Sequence, residues 1–105
     1  MARFDVYRNE SAQSAKRFPY FLVVQSDLLD GLSTTVVVPL GKPGVVGGRL
    51  AQTLTPALDV DGEALVMYTP ELAAVHATVL RKRVGNLEGQ RGAILRALDF
   101  LFSGI

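Results

Sequence analysis

The sequence predicts a mainly β domain, a small barrel or twisted antiparallel sheet, with one helix at its C-terminal end. Short segments rich in aromatic and β-branched residues recur along most of the chain and are typical of strands. Asp61-Gly62 separates two of them and is a dipeptide favoured in two-residue hairpin turns. Ile94, Leu98 and Leu101 recur at the spacing of one helix face. Together these features predict a sheet on which a terminal helix docks.

The individual elements follow from local composition. Strands are predicted over residues 4–7, 20–25, 34–38, 53–60, 63–68 and 77–80. Residues 8–16 are polar without a period and predict a mobile loop, and the Gly- and Pro-rich residues 41–48 predict an irregular crossing. Pro39 is expected at the end or edge of its strand, because it has no N–H for a ladder. Asn86 is placed to cap the terminal helix.

Composition limits the classes of function. The 105 residues suffice for a single domain spanning 1–105. A net charge of +1 gives no strong attraction to nucleic acid or anionic lipid. The chain has no cysteine, no long apolar run and no signal-peptide core, so we expect a cytoplasmic protein without a membrane partner. A hydrophobic fraction of 49% is high for so small a domain and favours a homodimer.

The sequence offers little for catalysis. His76 is the only histidine, so a typical zinc site is not expected, and we predict no metal, no cofactor and no catalytic residue. Acidic residues lie around two predicted turns, where carboxylates usually cap the turn or face solvent: Asp27, Asp30, Asp59, Asp61 and Glu63. The basic run Arg81-Lys82-Arg83 is typical of a solvated rim.

Two apolar features are not needed for the packing of the strands or of the helix stripe, and core or dimer packing is the alternative interpretation for Leu28 and Leu29. Leu28-Leu29 lies between two aspartates at a predicted turn. In the terminal helix, Phe100 falls on the side opposite the apolar stripe, and Ser103 shares that side. Exposed apolar side chains in a small protein often mark an interaction surface. We therefore expect Phe100 to be exposed and to form such a surface with the end of the chain.

The order of these segments resembles that of the CcdB toxins. Val24-Gln25-Ser26-Asp27-Leu28-Leu29-Asp30 is similar to the family's Val-Gln-Ser-Asp-hydrophobic-hydrophobic-Asp segment. The opening strand Phe4-Asp5-Val6-Tyr7, the Val-Pro-Leu strand at 36–40, the hairpin at 55–69 and the terminal Gly104-Ile105 also match in order. The resemblance covers essentially the whole chain.

This resemblance implies a type II toxin–antitoxin toxin with an SH3-like barrel, a fold plan shared with the MazF toxins. It implies a homodimer that catalyses nothing, binds the A subunit of DNA gyrase and traps gyrase on cleaved DNA. A CcdA-like antitoxin would neutralise it, and operator DNA would be bound only through the toxin–antitoxin complex. The gyrase-binding residues carried over, with Phe100 added from helical spacing, are Leu28, Leu29, Asp99, Phe100, Ser103, Gly104 and Ile105.

One departure keeps alternatives open. The family's best-known members carry Trp before the terminal Gly-Ile, whereas this chain has Ser103. In the first reading, gyrase binding persists through Leu28, Leu29 and Ile105, with Phe100 one turn before Ser103 on the same face. In the second, the chain is a relative with weakened toxicity or a different target. A MazF-like endoribonuclease is the alternative of another class, with Arg17 and Thr34 as candidates by residue type alone.

Overall fold

The computed structural model of the protein describes residues 1–44 and 49–104. The described part contains one antiparallel sheet with strands β1 (Asp5–Arg8), β2 (Tyr20–Val23), β3 (Thr34–Gly41), β4 (Ala57–Val60), β5 (Glu63–Met67), β6 (Ala73–His76) and β7 (Arg83–Asn86). It also contains the helices α1 (Arg49–Leu54) and α2 (Arg91–Ser103). Short 3-10 turns connect several of these elements.

The strand order is β4-β5-β3-β2-β1-β7, and β6 is an additional partner of β3. Strand β3 is central because β2 covers one of its sides while β6 and β5 share the other. The sheet curls into a half-barrel, as short twisted antiparallel strands do. The prediction of a mainly β small-barrel fold with a C-terminal helix is confirmed.

The main core lies between one face of the sheet and α2. Ile94, Ala97 and Leu98 of α2 are buried, as the helical spacing predicts for Ile94 and Leu98. They pack against apolar strand residues of the same cluster, among them Val6, Leu22, Val38, Leu65 and Met67. The opposite face of the sheet carries a smaller cluster of Tyr7, Val23, Val37 and Leu80, against which Phe21 and Val75 pack.

The predicted hairpin is present between β4 and β5. Asp61 and Gly62 both have positive φ, at 53° and 87°, which is the conformation that a type I′ turn requires. Asp59 Oδ1 accepts a hydrogen bond of 2.8 Å from the Gly62 N–H and closes the turn.

The expectation for Pro39 was wrong, because it lies inside β3 rather than at its end. The Pro39 carbonyl accepts a hydrogen bond from the Tyr68 N–H, so the backbone groups of Pro39 face the side that β5 and β6 share. Strand β6 pairs with residues 34–37 and β5 with residues 40–41. The position of the missing N–H of Pro39 therefore faces the junction between two partner strands. The Tyr68 carbonyl, which lies opposite Pro39, accepts a hydrogen bond from the Glu71 N–H instead.

Several element boundaries also differ from the prediction. The predicted strand at 77–80 is a 3-10 turn, Ala77–Val79, and the strand β6 lies just before it. Residues 53–54 belong to α1, and neither α1 nor β7 was predicted. Arg8, the first residue of the predicted loop at 8–16, belongs to β1, and the rest of the loop is free of strand, with turns from residue 12. Residues 45–48 of the predicted crossing lie outside the described residues.

Candidate functional site

The segment between β2 and β3 presents leucines on a short 3-10 turn, Asp27–Leu29. Ser26 precedes the turn, and its Oγ accepts a hydrogen bond of 3.2 Å from the Leu28 N–H. Its carbonyl accepts another from the Leu29 N–H. The second bond is the first bond of the 3-10 turn itself, whereas the first satisfies an N–H group that the turn leaves unpaired. Ser26 is therefore the N-cap residue of the turn.

Gln25 fixes the base of this turn against β3. Its Oε1 accepts a hydrogen bond of 3.0 Å from the Val36 N–H. Its Nε2 lies 3.4 Å from the Thr34 carbonyl and 3.5 Å from the Leu29 carbonyl. The amide therefore replaces a ladder partner at the point where β2 leaves the sheet, and it holds the turn in place.

The N-terminal segment supports the turn from the other side. The Arg3 N–H donates to Asp27 Oδ1 at 2.6 Å, and Arg3 Nε donates to the Val24 carbonyl. Asn86 Nδ2 in turn donates to the Arg3 carbonyl. These contacts join β7, the N-terminal segment and the turn in one hydrogen-bonded network.

Asp5 anchors this network in the sheet. Its carboxylate is almost fully buried and accepts hydrogen bonds from Arg83 Nε at 2.9 Å, Asn86 Nδ2 at 3.0 Å and the Ala2 N–H at 2.8 Å. Burial alone raises the pKa of Asp5, but the hydrogen bonds from Asn86, Ala2 and Arg83, with the Arg83 charge, outweigh it. The pKa of Asp5 therefore lies below its usual range.

With this support, the turn exposes its two leucines instead of burying them. Leu28 is 93% exposed and Leu29 is 48% exposed. Leu32, a few residues further on, is also exposed. Among the described residues, Leu28 is the most exposed large apolar side chain, and the hydrogen bonds of the turn hold it in that position.

The C-terminal end of α2 is the second exposed apolar feature. Gly104 follows the helix with φ of 74°, and its N–H donates to the Phe100 carbonyl at 3.0 Å. A left-handed glycine directly after a helix is a common way to end it, because a side chain at this φ is strained. Asp99, Ser103 and Gly104 are exposed, and Ile105 lies outside the described residues.

The exposed aromatic residue of this helix is Phe102 and not Phe100. Phe102 is 71% exposed, whereas Phe100 is half-buried, so the expectation for Phe100 was wrong. The expectation for Phe100 assumed that α2 has a single packing face. In the structure α2 contacts α1 and the 3-10 turn Thr69–Glu71 in addition to the sheet core. Sequence reasoning missed Phe102, although it lies roughly 80° from Ile94 on a helical wheel, at the border of the stripe.

The predicted site residues thus occupy two places. Leu28 and Leu29 share the 3-10 turn, and Asp99, Phe100, Ser103 and Gly104 share the last turns of α2 and its cap. Both places flank the main core, to which Val24 and Leu98 contribute. Within residues 1–44 and 49–104 no hydrogen bond or ion pair joins the turn to the helix end. Each is held by its own supports.

The candidate ribonuclease residues are not brought together. Thr34 begins β3, whereas the Arg17 carbonyl lies beside Gly41 at the other end of that strand. Seven residues of strand separate the two positions by roughly 23 Å if the strand is straight. The Arg17 guanidinium lies 3.2 Å from Glu71 Oε2 and over the Phe18 ring. This arginine is therefore part of a surface ion pair, away from Thr34.

Two residues of the basic run Arg81-Lys82-Arg83 form ion pairs within the protein. Lys82 pairs with Glu10 at 3.7 Å and Arg83 with Asp5 at 2.9 Å, so only Arg81 of the basic run is without an ion pair in the described part of the chain. The expectation that Asn86 caps α2 was wrong, because the N-cap position of α2 is Gln90. Asn86 Oδ1 instead accepts a hydrogen bond of 2.8 Å from the Glu88 N–H, at the start of the 3-10 turn Glu88–Gln90. Among the described residues there is no cluster of three metal-ligating side chains, and none of their helices is long and apolar enough to span a membrane.

A groove that the sequence did not reveal lies on the opposite face of the sheet. It encloses about 730 Å³ and is lined by residues that include Glu10, Phe21, Val75, His76, Val79 and Arg81. His76 is exposed at the end of β6. The groove lies beside the apolar residues of the second face of the sheet. Which strand residues share that face depends on the register of the sheet, so the sequence alone did not predict the groove.

A curled antiparallel β-sheet with one helix at its C-terminal end defines the chain as a protein of the small-barrel class. The model of the CcdB protein family matches residues 3–104. The chain therefore belongs to the CcdB family and is a toxin of the toxin–antitoxin type. The family resemblance found in the sequence is confirmed.

Proposed function

We propose that this toxin binds the A subunit of DNA gyrase and traps the gyrase–DNA cleavage complex without catalysing a reaction itself. The observation that carries the proposal is the turn Asp27–Leu29, which holds Leu28 almost fully in solvent. Exposing a leucine in this way gives the folded chain no packing energy. The polar supports from Gln25, Ser26 and Asp27 favour this arrangement as a binding feature.

The helix end supplies the second half of the proposed gyrase-binding surface. It contains Asp99, Ser103 and Gly104, together with Ile105. Phe102 is the exposed aromatic side chain next to Ser103, and we propose it as the anchor that offsets the missing tryptophan. Phe100 is half-buried and would contribute at the margin of the surface. Aromatic side chains are enriched among residues that dominate binding energy at interfaces.

Trapping would follow from differential affinity. If the surface binds gyrase better when the DNA is cleaved than when it is sealed, the cleaved state gains population. A symmetric pair of such surfaces suits a symmetric gyrase A dimer, so we propose that the active form is a homodimer. Apart from this selection of a state, the toxin supplies no chemistry.

The partners and the location follow from the family and remain part of the proposal. A CcdA-like antitoxin would neutralise the toxin by folding on its surface, and the complex would contact operator DNA through the antitoxin. Gyrase acts in the cytoplasm, which fits a toxin without cysteine. The separation of Arg17 from Thr34 gives no support to an endoribonuclease.

The direct test is a gyrase cleavage assay with purified toxin, gyrase, ATP and supercoiled plasmid. Denaturant and protease are added at the end, so that trapped complexes appear as linear DNA. We expect linear product from the wild-type toxin and a strong loss for Leu28→Ala and for deletion of Gly104-Ile105. Glu63→Ala on the β4–β5 hairpin is the control, since it lies outside the proposed surface.

Folding is checked on each variant by circular dichroism and thermal melting. No linear DNA from a folded wild-type toxin would contradict the proposal. Cleavage of RNA by the same preparation, abolished by Arg17→Ala, would favour the ribonuclease alternative instead.

A further inference from the structure

A tight turn of four residues, Ala2 to Asp5, leads into strand β1, and its backbone is strained. The Asp5 N–H donates to the Ala2 carbonyl at 3.1 Å and closes the turn. Phe4, the third residue of the turn, has a φ of 71°, whereas the φ of Arg3 is not positive. This combination defines a type II turn, in which the third residue is usually glycine. Phenylalanine is strained there, so the rest of the structure must hold it in place.

Three contacts hold Phe4 in this conformation. Its side chain is buried in the main core and is only 2% exposed. Its N–H donates to the Val23 carbonyl at 2.7 Å, and its carbonyl accepts from the Leu87 N–H at 2.9 Å. The core, β2 and the segment after β7 therefore all fix the same residue. The turn at residues 2–5 is a rigid feature of the sheet and not a loose end of the chain.

This rigid turn directs the backbone N–H of Arg3 at the turn that carries the two exposed leucines. In a type II turn the closing bond does not use the N–H of the second residue. The Arg3 N–H instead donates to Asp27 Oδ1 at 2.6 Å. A hydrogen bond to a carboxylate is stronger than one between neutral groups. Asp27 is the first residue of the 3-10 turn, and among the described residues its carboxylate accepts no other hydrogen bond.

The Arg3 side chain makes a second, separable contact. Its Nε donates to the Val24 carbonyl at 3.1 Å, and its guanidinium carbon lies 5.0 Å from the centroid of the Phe4 ring. The guanidinium contacts require arginine, whereas every residue except proline supplies the backbone N–H. Substitution at this one position can therefore separate the two contacts.

We propose that Arg3 is a positioning residue for the turn Asp27–Leu29 and acts on it through the hydrogen bond from its backbone N–H to Asp27. The strained turn at residues 2–5 fixes this N–H, and the N–H fixes the direction in which Leu28 and Leu29 point. The inference rests on the proposed function, because it assigns the part of the chain that orients the proposed gyrase-binding leucines. Arg3 acts in this way without touching gyrase.

A matched pair of variants tests the N–H. Arg3→Ala and Arg3→Pro both lack the guanidinium, but only Arg3→Pro lacks the N–H. Proline is favoured at the second position of a type II turn, so we expect the turn to persist and the two variants to unfold at similar urea concentrations. In calorimetric titration of the gyrase A subunit, we expect Arg3→Pro to bind roughly fivefold more weakly than Arg3→Ala.

Variants of Asp27 show whether the effect passes through this carboxylate. Asp27→Ala removes the acceptor, whereas Asp27→Asn keeps an acceptor oxygen and should bind gyrase better than Asp27→Ala. In the Asp27→Ala background the difference between Arg3→Pro and Arg3→Ala should vanish, because the bond no longer exists. A difference that persists there would overturn the inference. If Arg3→Pro does not fold, equal binding by the two folded Asp27 variants would overturn it instead.

Hydrogen exchange gives a readout that does not need gyrase. The Leu29 N–H bonds to the Ser26 carbonyl and the Asp30 N–H to the Asp27 carbonyl, so these two amides report whether the 3-10 turn stays closed. We expect both to exchange faster in Arg3→Pro than in Arg3→Ala, by a factor similar to the loss of affinity. The Leu22 amide, inside the sheet, is the internal control and should exchange equally in the two variants.

The two readouts separate this inference from the gyrase proposal. If the wild-type toxin binds gyrase, equal affinity of Arg3→Pro and Arg3→Ala would overturn the inference. A wild-type toxin that does not bind gyrase would contradict the proposed function, and exchange alone would then decide. Faster exchange of the turn amides in Arg3→Pro would uphold Arg3 as a positioning residue, and equal exchange would overturn that role.

Discussion

The turn Asp27–Leu29 and the end of α2 both expose apolar side chains, but different forces hold them. Polar side chains hold the turn, since Gln25, Ser26 and Asp27 bond to its backbone or to neighbouring backbone. Burial of Ile94, Ala97 and Leu98 in the main core holds the helix. A change to a leucine of the turn should therefore alter the proposed binding without altering stability, whereas the helix end depends on the core.

The largest expected effect comes from the core under the helix. Ile94→Ala removes a fully buried side chain and leaves a cavity, so we expect the free energy of unfolding to fall by about 2–5 kcal/mol. Urea denaturation measures this loss. Gyrase poisoning should fall with the folded fraction. A change below about 1 kcal/mol would show that α2 is not held by its buried face.

The next effect is on binding alone. Leu28→Ala should leave the free energy of unfolding within about 0.5 kcal/mol, because the side chain is almost fully in solvent. It should weaken binding to the gyrase A subunit by about 2 kcal/mol, or roughly 30-fold, as for a central interface residue. Calorimetric titration of the A subunit measures this, and Glu63→Ala serves as the control. Equal affinity for both variants would exclude Leu28 from the surface.

A smaller effect concerns the support of the turn. Ser26→Ala removes the hydrogen bond to the Leu28 N–H, so we expect a loss of about 0.5–1 kcal/mol in stability. We also expect weaker gyrase binding, because the two leucines are no longer fixed. Ser26→Thr keeps the acceptor and should restore both. Ser33→Ala is the control, since the Ser33 hydroxyl makes no hydrogen bond in the described part of the chain.

The smallest effect is a dependence of stability on pH. The pKa of Asp5 is lower in the folded chain than its ordinary value of 3.8, so its contribution is fully present well above pH 3.8. It is lost as the pH falls below that value and through the folded pKa. Denaturation of the wild type between neutral and acid pH should show this decline. Asp5→Asn should be less stable at neutral pH and should show a smaller decline on acidification.

The sequence predicted well what local chemistry determines. The hairpin at Asp61-Gly62 and the buried stripe of α2 follow from local backbone preference and from helical periodicity. The error at Pro39 has another origin, because the cost of a missing N–H depends on which strand lies opposite. No local pattern contains that information.

In the candidate site, too, the sequence predicted the features that depend on local residues and missed those that depend on long-range contacts. The Gln25-Ser26-Asp27 segment identified the turn, and its family resemblance named the leucines. The exposure of Phe102 and the burial of Phe100 depend on where α1 and the turn Thr69–Glu71 contact α2. Long-range contacts therefore decide the parts of the site that the sequence missed.

The gyrase cleavage assay with wild-type toxin and Leu28→Ala tests the central claim most directly. We predict linear DNA from the wild type and much less from Leu28→Ala at equal concentration, with identical melting temperatures for the two proteins. Equal amounts of linear DNA from both, or none from a folded wild-type toxin, would contradict the claim that the turn Asp27–Leu29 binds gyrase.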